Sequence, residues 1–386
     1  MILILADDLS GAAELAGIAA AQGYTAEVQT VIDTSSRAEV LAVDAQSRSC
    51  SPAEAKQRVR NAYTLARSLG PKWTYKKTDS ALRGNIVAEL ETVAQTGGYE
   101  RILFIPANPE KKRYITDGIY RINGIPLDQT VFAHDPEYPQ QQAEVIKALG
   151  HQGSLPRTNV SADQSSPRTG IVIPDVFTGE DLDFRATEVH DQTLPAGAAE
   201  FFSSLLNRVK DPAHETCIER QVLSTSTSRL FICGSLASWQ QGLASFAAKH
   251  DVPVFPVDST EDGIQKAVES LRIRQRAMIA IGQPDASVRQ HDGWGDSENL
   301  LARLVDIAVA IIQQTTPSQL FIEGGATASA LLKRMGWTRF EAATTTFTGV
   351  GCLHPKDTRS NTLLCIKPGS YPWPKAAWIS ATHSSP

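Results

Sequence analysis

Short apolar runs alternate with amphipathic stretches along most of this chain, and the alternation predicts strands and helices in turn. In the first half the strand-like runs are ILILA (2–6), AEVQTV (26–31), VLAVDA (40–45), WTYKKT (73–78), RILFIPA (101–107) and GIVIPDV (170–176). Helical patterns lie between several of them. AAELAGIAAAQG is closed by Gly23, and SPAEAKQRVRNAYTLARSLG opens at Ser51 with Pro52 behind it and closes at Gly70. Strand, helix, strand in this rhythm predicts a parallel sheet covered on both faces. Residues 150–170 are rich in Gly, Ser, Pro and Asn and read as a surface loop. Residues 207–228 are polar and lose the periodicity, so the domain boundary is placed there, giving domains 1–210 and 225–386. The rhythm resumes at RLFICGS (229–235), VPVFPV (252–257), AMIAIG (277–282), QLFIEGG (319–325), TTTFTGV (344–350) and TLLCIKPG (362–369). The clearest helix of this half is SENLLARLVDIAVAIIQQTTP (297–317), stopped by Pro317. The expected fold class is α/β, with two domains, each a mainly parallel sheet flanked by helices, and the active site in the cleft between them.

Composition changes this picture little. At 386 residues the chain exceeds one ordinary hydrophobic core, which agrees with two domains. Hydrophobic residues at 42% and charged residues at 20% are ordinary for a soluble globular protein. The formal charge of −5 argues against a nucleic-acid partner, since phosphate backbones demand a basic surface, and leaves room for a local basic pocket. The five cysteines (Cys50, Cys217, Cys233, Cys352, Cys365) are scattered with no C-x-x-C pair, a pattern of reduced, buried thiols. No apolar run approaches the ~18 residues of a membrane span, and the N-terminus meets acid at Asp7. A cytoplasmic protein with no membrane partner is the expectation; the oligomeric state is left open, a homodimer included.

The candidate chemistry sits at strand ends, where ligands bind in open α/β sheets. Asp7 and Asp8 follow the first strand directly. The plainer reading makes one a helix N-cap and the other a solvated neighbour. A second constellation is YKKTDSALRGN (75–85), where Lys76, Lys77, Asp79, Ser80 and Arg83 leave one strand. The cations suit a carboxylate or phosphate, Arg83 through two parallel hydrogen bonds, and Asp79 can orient a hydroxyl or accept its proton. The plainer reading, a capped helix with solvated lysines, fits Lys76 better than it fits the whole cluster. VDAQSRS adds Arg48 beyond another strand. In the second half, FIEGGATASALLKRMG (321–336) runs a strand into Gly-Gly and a helix start, a geometry that can hold an anion and also a common tight turn. CIKPGS (365–370) and ICGSLAS (232–238) end two further strands. There is no G-x-x-x-x-G-K-[ST], no G-x-G-x-x-G after the first strand and no G-x-S-x-G, and the eight histidines lack zinc-type spacing.

Together these motifs resemble the four-carbon acid sugar kinase family over nearly the whole chain. ADDLSGA is similar to the family's A-D-D-x-[ST]-G-A, KKTDSALRGN to its K-x-D-S-x-L-R-G-N, and DAQSRS to its [ST]-R-bearing strand end. FIPANPEKKRYITDGIYRINGIPLDQTVFAHDPEYP is similar to a P-A-x-P block with a later D-P-x-x-P. CGSLAS, EGGATAS and IKPGSYPWP stand where the family has G-S, G-G-[DE]-T-[AS] and K-P-G-x-F-G.

The resemblance implies an N-terminal domain for the sugar acid and a C-terminal domain for ATP; Mg2+ is expected with the nucleotide, with Asp7 and Asp8 supplying the base and a neighbour able to help place it, and no residue is named as a metal ligand. It implies that Asp8, Arg48, Lys77, Asp79, Ser80 and Arg83 face the substrate. It further implies that Ser235, Gly324, Gly325, Ala326, Thr327 and Gly369 face the nucleotide. Asp7, Asp8 and Asp79 are the candidates for the base that deprotonates the attacking hydroxyl, with Asp8 favoured by the family pattern. Two departures stand out. Ala326 replaces the acidic third residue of G-G-[DE]-T-[AS], with Glu323 the nearby acid that could compensate, and the closing G-x-F-G has become GSYPWP. Ala326 motivates a rival from another class, a non-catalytic sugar-acid or nucleotide sensor. A dinucleotide-dependent dehydrogenase ranks below both for want of a Gly-rich fingerprint.

Overall fold

The computed structural model describes residues 1–135, 138–162, 164–209, 227–235, 239–257, 261–281, 297–344, 349–369, 371 and 373–378. The chain divides into two compact units, Met1–Thr216 and Cys217–Pro386.

The first unit begins with β1 (Ile2–Ala6), α1 (Leu9–Ala21), β2 (Ala26–Gln29), β3 (Val40–Asp44), α2 (Pro52–Arg67), β4 (Trp73–Lys77), α3 (Ile86–Gly97) and β5 (Arg101–Ile105). A small antiparallel sheet follows, β6 (Arg113–Thr116), β7 (Ile119–Ile122) and β8 (Ile125–Pro126). Then come α4 (Val145–Ala148), β9 (Arg157–Val160), β10 (Gly170–Pro174), α5 (Gly179–Ala186), β11 (Thr193–Gly197) and α6 (Ala199–Val209). The main sheet of this unit runs β2-β3-β1-β4-β11-β5-β10-β9, each neighbouring pair parallel. β1 is buried at every position, the mark of a central parallel strand covered on both faces. Register positions the site. Ala6 pairs with Asp44 on one side and with Lys77 on the other, so the segments after β3, β1 and β4 leave the sheet level with one another.

The second unit contains β12 (Arg229–Cys233), β13 (Val254–Pro256), β14 (Arg276–Ala280), β15 (Gln319–Glu323), β16 (Arg339–Ala343), β17 (Gly351–Pro355) and β18 (Leu363–Lys367). Its order is β13-β14-β12-β15-β18-β17-β16, parallel as far as β18 and antiparallel beyond it. The helix Ser297–Thr315 ends before Pro317, as its sequence predicts.

Several elements differ from the pattern-based expectation. The run at 150–170 contains β9, an edge strand whose polar Arg157 and Asn159 hide it from an apolar pattern. β11, Thr-Leu-Pro-Ala-Gly, is too short and proline-broken to register, yet it is fully buried between β4 and β5. The β7–β8 turn is Asn123-Gly124, with φ of 53° and 84°, an Asn-Gly hairpin signal that was available in the sequence. α6 runs to Val209, into the stretch read as polar linker, most of which lies outside the described residues. Of the strand expected at 344–350, residues 345–348 lie outside the described residues, and strands β16 and β17 flank it. Cys50, Cys233, Cys352 and Cys365 are free thiols; Cys217 lies outside the described residues. Among the described residues no helix is long and apolar enough to cross a membrane.

Candidate active site

At the shared edge of β3, β1 and β4, Asp8 is the N-cap of α1. Its Oδ1 accepts from Gly11 N at 2.8 Å and its Oδ2 from Ser10 Oγ at 2.6 Å. The cap reading is therefore right for Asp8, but its neighbour is not solvated: Asp7 is buried. Arg48 joins them, donating from Nε to Asp7 Oδ2 at 2.7 Å and from Nη1 to Asp8 Oδ2 at 2.6 Å. Gly11 explains the glycine of the opening motif. A Cβ there would lie 3.0 Å from Asp8 Oδ1 and 3.1 Å from Lys77 Nζ, so a larger residue would press on both the carboxylate and the ammonium.

The turn after β4 supplies the rest. Asp79 takes Arg83 in a two-point grip, Nε and Nη2 each 2.9 Å from its oxygens, and Arg48 Nη1 lies 3.7 Å away. Ser80 Oγ accepts from Arg113 Nη1, and Ser80 O accepts from Tyr120 Oη. Lys77 Nζ donates to Thr78 O at 3.0 Å and lies 3.9 Å from Glu14 Oε2. Asp7, Asp8, Arg48, Lys77, Asp79, Ser80 and Arg83 thus come together. Lys76 departs from its reading as a solvated lysine. It is fully buried, with Nζ 2.6 Å from Glu89 Oε2.

Electrostatics separates the three aspartates. Burial opposes ionisation of Asp79, but the guanidiniums of Arg83, Arg48 and Arg113 overcome it and hold the group well below the usual carboxylate range. Asp7 is lowered too, burial being outweighed by Arg48, Lys76 and Lys77. Asp8 keeps the most accessible of the three side chains, 11% exposed against 3% and 8% for Asp7 and Asp79.

In the second unit, Cys233 pairs with Glu323 and Glu323 with Lys367, so the turns after β12, β15 and β18 share one edge. Gly324 has φ 96° and precedes the helix Gly325–Met335, whose first turn has no side-chain cap and no acidic residue. A Cβ at Gly234 would meet Thr327 Oγ1 at 2.0 Å, and one at Gly369 would meet Ser235 Oγ at 3.0 Å. Ser235, Gly324 to Thr327 and Gly369 are therefore gathered around backbone and hydroxyls. Glu323, the acid suggested to compensate for Ala326, is turned to Lys367 and Trp373. It is buried, 3.2 Å from Lys367 Nζ and 3.2 Å from the indole nitrogen of Trp373. Residues 236–238, Ser370 and Pro372 of these motifs lie outside the described residues.

A family model described as a sugar-binding N-terminal domain matches residues 2–204. The chain belongs to that family. It is 26% identical over 379 residues to a D-threonate kinase of Salmonella typhimurium, covering 87% of this chain and 86% of the relative. It is 24% identical over 412 residues to a 3-oxo-tetronate kinase of Methylobacterium radiotolerans, covering 95% of each. A crystal structure of a Salmonella typhimurium protein superposes with a TM-score of 0.77 at 17% identity, covering 99% of this chain and 98% of that one, a likeness of fold. The resemblance to four-carbon acid sugar kinases drawn from the motifs is borne out by these relatives.

Two sets of residues escaped sequence reasoning. The first is Arg113, Phe132, Asp135 and Tyr138, which lie within the motif-bearing block 104–139 and reach Ser80, Arg83 and Arg48. The second is Asp44, whose carboxyl is pushed up to about 8 by burial, with the charges of Asp8 and Asp7 adding to the shift. An unfolded Asp44 ionises near 3.8, whereas the folded one keeps its proton to about pH 8, so stability falls as pH rises across that window. Asp44→Asn keeps the acceptor for Gln46 N and removes the titration. It should raise the melting temperature by several degrees at pH 8.5 and hardly at all at pH 5. Equal shifts at both would show that Asp44 is already ionised.

Proposed function

We propose that this protein is an ATP-dependent sugar-acid kinase, transferring the γ-phosphoryl group to a hydroxyl of a four-carbon acid such as threonate, erythronate or an oxo-tetronate. The observation that carries the reading is the strand-end cluster of Asp8, Arg48, Lys77, Asp79 and Arg83 in a chain whose relatives, matched over most of their length, are named as kinases of such acids. As the hydroxyl oxygen bonds to the γ-phosphorus, its proton passes to Asp8 and ADP leaves with the electrons of the broken bond. A base held far below its usual pKa accepts a proton poorly, which disfavours Asp79; its part is to fix Arg83. Phosphoryl transfer rests mainly on positioning and charge neutralisation, and Arg83 and Lys77 hold the acid end.

The second unit takes the nucleotide in this reading. Gly324 and the uncapped first turn that follows offer backbone N–H groups to phosphate, and Ala326 leaves that turn without a competing negative charge. Among the described residues no group of three or more His, Cys, Asp or Glu could hold a metal. A magnesium ion would be carried by the nucleotide's own phosphates, whose charge it would neutralise. The test is a coupled ADP-release screen over C4 to C6 sugar acids and their oxo derivatives. Turnover with a C4 acid is expected. Thermal stabilisation by an acid, with neither ADP release nor a response to ATP-magnesium, would instead establish the sensor.

A further inference from the structure

Arg83, read above as a holder of the acid end, already carries a second carboxylate, Asp135, beside Asp79. A guanidinium grips a carboxylate in parallel only along an edge shared by two nitrogens. Asp79 fills the Nε–Nη2 edge, which leaves Nη1–Nη2. Asp135 Oδ2 accepts from Nη1 at 3.2 Å, so one nitrogen of that remaining edge is already bonded to a carboxylate. This carboxylate is firmly carried. Its Oδ1 accepts from Tyr138 N at 2.9 Å, Tyr138 Oη donates to Arg48 O, and Gln140 Nε2 donates to Leu82 O at 3.1 Å. Phe132, from the same segment, lies 5.5 Å from the Arg83 guanidinium carbon and 5.6 Å from that of Arg113.

The surrounding charge gives this contact its consequence. Asp7, Asp8, Asp79 and Asp135, with Glu14 behind Lys77, face Arg48, Arg83, Arg113 and Lys77, and the buried Lys76–Glu89 pair balances itself. The cluster has no surplus positive charge. Repulsion from a fixed carboxylate grows with the charge of the ligand, so an acid oxidised at both ends is penalised more than one ending in a hydroxymethyl group.

We propose that Asp135 is a specificity-determining residue that selects four-carbon monoacids over the corresponding dicarboxylates. The inference rests on the reading of this unit as the acid site. The experiment uses the full-length wild type, Asp135→Asn and Asp135→Ser. It takes D-threonate and D-erythronate as monoacids and the tartrate of matching configuration as competitor. In both variants the tartrate Ki should fall about tenfold, while KM for the monoacid falls threefold or less. An unchanged ratio of the two constants overturns the proposal. A rise in KM for the monoacid with no gain for tartrate also overturns it, making Asp135 a support for Arg83. If the wild type releases no ADP with any sugar acid, the kinase reading fails separately, and the same ratio is read from calorimetric Kd values. Absence of binding by both ligands to every variant would end the inference as well.

Discussion

Asp8→Asn should lower kcat by about a thousandfold or more, while the protein keeps a cooperative melt and still binds its acid. Removing a general base costs roughly 10²–10⁴ in rate, and here the lost carboxylate also balanced Arg48. The structure makes the experiment interpretable. Asparagine keeps an oxygen for Gly11 N, and it is as good an N-cap as aspartate, so α1 should survive. What changes is the second oxygen, which accepts from Ser10 Oγ and Arg48 Nη1. An amide NH2 there would face the guanidinium donor to donor, so a modest loss of stability is expected beside the kinetic one. Single-turnover measurements with saturating acid separate the two effects, since a structural defect would appear mainly in KM. A variant turning over at near the wild-type rate would remove Asp8 from the role of base and pass the question to Asp7.

That Asp7 and Asp8 belong to one cluster was legible because an unbroken apolar strand ended in two acids, an arrangement local propensity does not require. The glycine turns were legible for a similar reason, as strands that ran straight into residues without side chains. What could not be read was pairing across the sheet. Nothing local says that Ala6 lies level with both Asp44 and Lys77, and it is this register that brings Arg48 onto Asp7 and Asp8. For the same reason Asp44 passed as an ordinary strand residue; its raised pKa comes from burial beside two carboxylates that are distant in sequence. Asp135 illustrates the limit of motif reading. The block containing it resembles the family in sequence, but only the folded chain shows its carboxylate against Arg83.

Lys76 was the clearest misjudgement, and it carries the second large expected effect. A lysine pair at a strand end looks like solvated charge, yet successive strand residues point to opposite faces, and Lys76 points under α3. There its ammonium lies 2.6 Å from Glu89 Oε2, both side chains at most 1% exposed, and it donates to Lys77 O at 2.8 Å. Lys76→Met should destabilise this unit by about 3–5 kcal/mol, because Glu89 loses its buried partner and must either stay charged without compensation or take up a proton to fold. By scanning calorimetry the transition should fall by about 10 °C. The loss should also depend on pH. Burial already pushes the Glu89 carboxyl up, with Lys76 as the main opposing influence. Without Lys76 the group would fold protonated, so the variant should lose more stability as pH rises from 5 to 8. Replacing both partners, Lys76→Met with Glu89→Leu, should recover most of the loss and flatten that pH dependence, since well-packed apolar residues commonly substitute for a buried pair. A single variant melting within 2 °C of the wild type, or a double variant no better than the single, would show that the pair does not hold α3 to the sheet. If the double variant is stable but slow, the ammonium also matters for its field on Asp7, which it helps to keep ionised beside the proposed base.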